Sequence, residues 1–133
     1  MPANTNPIFT LTPHISSARI ATANTNRDGT GTLGAVITGT TNGTRVDRIL
    51  ITATGTTTAG MVRIFIDDGT NVRFWQEVSV TAITASGTVK SFTATISSPD
   101  STAPLLVLPS SYVLRAGTNN AEQFDVIAFA GDF

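Results

Sequence analysis

Cysteine is absent from the 133-residue chain, which excludes a disulfide framework, a thiolate zinc site and a cysteine nucleophile. Charge is scarce: 13% of residues are charged and the net charge is -1. That balance supplies neither the basic field that holds nucleic acid nor a polybasic anchor for anionic lipid, so neither partner is expected. No apolar run approaches the ~20 residues of a membrane helix. The opening stretch, MPANTNPIFT, lacks a basic segment followed by an apolar one, and no signal peptide is expected there. Histidine and lysine occur once each, as His14 and Lys90. A single histidine gives a catalytic triad one base at most, and no serine sits in a Gly-x-Ser-x-Gly elbow.

Threonine, by contrast, abounds, at roughly two dozen residues, which favours strands and polar turns over helices. Every basic residue except Lys90 is arginine, the cation suited to desolvated ion pairs and interfaces. A chain of this length suits one domain that buries its own core.

The clearest pattern runs over residues 45–80. Strand-like runs at 45–54, 60–67 and 71–80 follow one another, and Asp68-Gly69 between the last two is a strong hairpin signal. Val62, Ile64 and Ile66 alternate with Arg63, Phe65 and Asp67. Val72, Phe74, Val78 and Val80 alternate with Arg73, Trp75 and Glu77. Period-two alternation predicts half-buried strands, here as a three-stranded meander. Further strands are expected at 15–23, 33–38, 89–96, 105–108, 112–116 and 124–130, separated by loops rich in Asn, Asp, Gly and Pro. No segment has a helical apolar period. Turn signals every 8–12 residues imply an all-β, single-domain antiparallel β-sandwich, of jelly-roll or related Greek-key topology. Its predicted core includes Val62, Ile64, Phe74, Val78, Phe92, Leu114 and Val126.

Residues 1–14, with prolines at 2, 7 and 13, read as an extended arm, and 15–133 as the sandwich. Ile8, Phe9 and Leu11 are too apolar for an arm left in water, so it is expected to dock. The scattered arginines are offset by nearby acids, with Asp47 beside Arg48, Arg63 near Asp67 and Arg73 near Glu77, so the aromatics are not set in a basic groove for nucleic acid. Trp75, sharing a face with Arg73 and Glu77, is the predicted interface anchor, joined by the aromatic C-terminal residues Phe129 and Phe133.

Nothing in the chain assembles catalytic or cofactor chemistry, and neither an enzyme nor a cofactor is expected. The stretch Asn24-x-Asn26-x-Asp28-Gly29 imitates the front of a calcium loop. However, Ala35 stands where the bidentate glutamate belongs, so it is read as a turn and no metal is expected. His14 is read as an exposed or interface imidazole. Asp67 and Asp68 are adjacent in a turn and do not form a hydrolase pair with Glu77.

The blocks ANTNRDGTG (23–31), TNGTRVDRILITATGTTTAGMVRIFIDDGTNVRFWQEV (41–78) and LPSSYVLRAGTNNAEQFDVIAFAGDF (108–133) resemble small virion structural proteins of tailed bacteriophages and prophages. In character these are similar to capsid decoration, or cement, proteins. The resemblance implies a small β-sandwich, commonly a homotrimer, that binds the major capsid protein on the virion surface after assembly in the host cytoplasm. The run LP-x-x-Y-x-L-R at 108–115 also resembles pieces of jelly-roll tail and fibre tips. A receptor- or glycan-binding tail module is therefore the alternative. No catalytic residue is implied.

Overall fold

The computed structural model describes residues 9–100 and 102–133. Within them the chain is all strand and loop, with no helix. The strands are β1 (Thr12–Ile20), β2 (Gly34–Thr38), β3 (Thr44–Ala53), β4 (Gly60–Asp67), β5 (Val72–Val80), β6 (Thr93–Ser97), β7 (Leu106–Leu108), β8 (Val113–Thr118) and β9 (Phe124–Asp132). They form two antiparallel sheets packed face to face, a β-sandwich. Sheet A has the order β1-β9-β3-β6, with β7 also on β3, and sheet B has the order β2-β8-β4-β5.

Each sheet turns one side inward, and the inward residues alternate as period two requires. From sheet A, Ile20, Val46, Ile49, Ile51, Ala53, Ile96, Phe124, Val126 and Ala128 are buried. From sheet B, Val36, Ile37, Val62, Ile64, Leu114 and Ala116 meet them. Phe92, just ahead of β6, sits edge-on to Phe124 with ring centroids 6.3 Å apart.

The three strands read as a meander are not one. β3 belongs to sheet A while β4 and β5 belong to sheet B, so only β4 and β5 form a hairpin. Alternation reports which face of a strand is apolar, not which strand lies beside it. The loop at 54–59 has room to cross between layers. The predicted strand at 89–96 is also shorter. Ser86 and Val89 close a turn, and pairing with β3 begins at Thr93. At the other end, β1 begins at Thr12, so Thr12, Pro13 and His14 of the expected arm are part of the sheet.

Two β-bulges change what faces inward. Opposite β4, β5 has an extra residue at Trp75, since Ile64 pairs with Gln76 and Phe65 with Phe74. A bulge reverses the parity of everything beyond it. Trp75 consequently packs against the core, while Phe74, predicted as core, is 40% exposed on the outer side. On β3 the bulge falls at Asp47, leaving Asp47 and Arg48 both exposed.

Candidate interaction surface

The outer sides of the two sheets differ in what covers them. That of sheet B is roofed by the β1–β2 connection. Asn24 N–H donates to Thr118 C=O, and Leu33 lies against Gly117. Arg27 Nε donates to Glu77 Oε2 over 3.1 Å, and Gly29 is pressed onto Val72 with φ at +88°. A side chain at Gly29 would meet the Val72 backbone, and the left-handed φ disfavours one in any case.

Under this roof β4 is buried on both sides, against the expectation of a half-buried strand. Arg63 is 3% exposed and Phe65 1%. The Arg63 guanidinium donates to Glu77 Oε2 at 3.1 Å and to Asn119 Oδ1 at 3.3 Å. Glu77 thus receives Arg27 from above and Arg63 from below. These two cations, Arg27 first, hold its carboxyl below the usual carboxylate range. Phe65 meets Phe74 edge-on, centroids 5.9 Å apart.

The roof is self-braced by the residues that imitate a calcium loop. Asn24 Nδ2 donates to the carbonyls of Thr30 and Thr32, and Asn24 Oδ1 accepts from Asn26 N–H. Asp28 Oδ1 accepts from the backbone and hydroxyl of Thr30, which lowers its pKa. Their oxygens face the loop's own donors.

Sheet A has no such cover among the described residues. Its outer side carries Ile15 from β1, Ile127 and Phe129 from β9, Leu50 from β3 and Val107 from β7, the side chains that alternate with the buried set. Ile15 is 65% exposed and Val107 49%. The Arg48 guanidinium lies over the Phe129 ring, 4.2 Å from its centroid, adding a cation–π contact to the apolar stripe. Charge rims the stripe. At one end Arg19 makes a two-pronged pair with Asp125 at 2.7 and 3.1 Å, and at the other Arg45 donates to Asp47 at 3.0 Å.

The segment ahead of β1 joins the same side. Thr10 packs where Gly131 has no side chain, Leu11 N–H donates to Asp132 C=O, and Phe9 and Leu11 project into solvent. An apolar centre with a charged rim and an aromatic–arginine pair is a make-up that protein interfaces share.

The residues singled out from the sequence therefore separate. Phe129 lies on the outer side of sheet A, opposite Ile15, while Phe9 and Leu11 are exposed ahead of β1. Phe133 N–H bonds Gly43 C=O, and the Phe133 ring lies by Gly43. Ile8 lies outside the described residues. Arg73, Trp75 and Glu77, expected to share a face, do not. Arg73 is exposed, Trp75 packs on the core, and Glu77 is tied under the roof.

Each of the acids that lie near an arginine in the sequence pairs with a different one. Asp67 takes Arg115 at 2.7 Å, Glu77 takes Arg63 and Arg27, and Asp47 takes Arg45. His14 is half-buried in β1 rather than exposed on an arm, with Nδ1 2.9 Å from Asp132 Oδ1. Burial pushes the Asp132 carboxyl up, but hydrogen bonds from Thr44 and His14 outweigh it and leave it lowered. Ile15, Leu50 and Ile127 were missed. Their signal was present in β3 and β9, where apolar residues fill both parities and so must leave one set outside.

No protein-family model matches the chain, and no curated protein does.

Proposed function

We propose that this protein is a virion structural subunit of the capsid-decoration type, acting by binding the major capsid protein rather than by catalysis. The observation that carries this reading is the apolar stripe on the outer side of sheet A, with Ile15 exposed, Phe129, Ile127 and Leu50 half-buried, and no loop laid over it among the described residues. Burying such side chains contributes ~1.5–3 kcal/mol each, enough for a standard-sized interface, while Arg48 and the rim pairs set its orientation. The stripe supports binding over the tail-tip alternative, because it is a broad, flat surface and not a loop-built pocket for a sugar. The pairing of β1 with β9, β2 with β8, β3 with β6 and β4 with β5 supports a jelly-roll wrapping of the chain. The subunit belongs on the capsid surface, added to shells in the host cytoplasm.

The test is binding of the purified protein to capsid shells that lack it. Ile15→Asp combined with Phe129→Asp places two charges in the stripe and should abolish co-sedimentation, whereas Phe74→Asp, on the opposite sheet, should retain it. A chain beginning at Thr12 keeps β1 whole and should fold but bind more weakly. Binding of the double variant at the wild-type level would overturn the proposal.

A further inference from the structure

The free edges of the two sheets are not equally protected. On sheet B, β2 is short and bulged, and β5 is bulged at Trp75. The far edge of sheet A is broken into β6 and β7. Short strands and bulges are ordinary protections against edge-to-edge pairing. β1 has neither. It runs from Thr12 to Ile20 in one unbroken register with β9, and among the described residues nothing pairs with its other side.

The register fixes which groups that edge offers. Thr54 N–H bonds Gln123 C=O, and Phe133 N–H bonds Gly43 C=O. Odd-numbered residues of β9 therefore bond β3, and even-numbered ones bond β1. Their partners Thr12, His14, Ser16, Ala18 and Ile20 turn their backbone groups toward β9, while Pro13, Ile15, Ser17 and Arg19 turn theirs outward. Pro13 has no N–H, and its place on the outward side follows the usual placing of edge prolines. Among the described residues, the outward donors without a partner strand are those of Ile15, Ser17 and Arg19.

We infer that β1 pairs antiparallel with β1 of a second copy of this chain, about a twofold axis at Ser17. In that register Ile15 lies opposite Arg19 of the second copy and Ser17 lies opposite its own copy. All are hydrogen-bonded pairs, so each outward N–H meets a C=O. Pro13 falls beyond the paired stretch. Centring on Ile15 instead would set Pro13 against Ser17 and leave a carbonyl without a donor.

The ends of the strand argue for a second copy over an unrelated peptide. The same register sets Leu11, 84% exposed, opposite Ala23 of the second copy and carries Phe9, 75% exposed, beyond it. Beside that stretch a hollow of about 200 Å³ is lined by Arg19, Ile20, Ala21, Thr22, Thr32 and Leu33. One chain thus supplies both the apolar projection and the place for it. Such an interface is isologous and closes as a dimer; it does not build a trimer. It joins the two copies' sheets into one and merges their outer stripes. The inference stands on the edge of β1 and is independent of the virion role.

Sedimentation of the full chain at micromolar concentration should give a dimer. Ser17→Pro removes the central outward donor without touching a β1–β9 bond, and Leu11→Lys puts a charge into the hollow. Each should shift the species to monomer with an unchanged far-UV spectrum. Should Ser17→Pro fail to fold, amide exchange decides. The N–H groups of Ile15, Ser17 and Arg19 should be protected in the wild type and lose that protection in Leu11→Lys. A wild-type monomer or trimer overturns the pairing. So does a dimer indifferent to Leu11→Lys whose three amides exchange freely.

Discussion

Arg63 shows how one residue can be charged, buried and still stable. Its guanidinium is answered by Glu77 and by Asn119, so the desolvation of the charge is offset within hydrogen-bond reach. Arg63→Ala should cost about 3 kcal/mol in denaturant unfolding, near the low end for a broken buried pair because Glu77 keeps Arg27. Carboxylates set the response to acid. Asp67, bonded by Arg115 and then by the Gly69 N–H, and Asp125, bonded by Arg19, lie below their ordinary value of 3.8, and Glu77 lies below 4.5. A carboxyl depressed in the folded state adds stability that is complete above its unfolded value and lost as pH falls through the folded one. Melting temperature should therefore hold down to about pH 5 and fall below pH 4, from these groups together. Asp67→Asn should lower it at neutral pH and shrink that acid-side fall. A fall on the alkaline side of pH 5 alone would contradict the assignment.

At the scale of elements, β4 was legible to its ends, and β3, β8 and β9 nearly so, because β-branched runs bounded by Gly, Asn and Asp leave little choice. What was not legible is what tertiary contact decides. The bulge at Trp75 leaves no local mark, so a run read in constant parity placed Phe74 inside and Trp75 outside. The roof over sheet B looked like a plain polar loop, since most of its contacts come from glycine, backbone and the Arg27–Glu77 pair, which carry no apolar signal. Both points are measurable by thermal or urea unfolding. Phe92→Ala should cost roughly 3–5 kcal/mol as a core deletion. Trp75→Ala should cost ~3 kcal/mol and Phe74→Ala only ~1–2 kcal/mol, the reverse of the order the alternation suggests. Gly29→Ala should lift the roof from Val72 and speed amide exchange at Gly117. A neutral effect would mean that the roof is not clamped there.

For the whole molecule, the asymmetry between its sides matters most. One sheet is roofed and its charge, Arg63, is sealed beneath. The other presents Ile15, Leu50, Ile127 and Phe129 with Arg48 laid on the ring, and among the described residues its β1 edge has no partner strand. Of the residues the sequence nominated for an interface, Phe9 and Leu11 are exposed and Phe129 lies half-buried on the outer side of sheet A. The sequence could not place Arg73, Trp75 and Glu77, because a parity shift and a loop contact separate them. As the capsid-decoration subunit proposed above, the protein would work through sheet A. A cryo-electron-microscopy map of particles made by the encoding genome tests this most directly. The expected result is sandwich-shaped density on the outer head shell, with sheet A turned to the major capsid protein and sheet B to solvent. Density on the tail, or a subunit seated on the shell through sheet B, would contradict it.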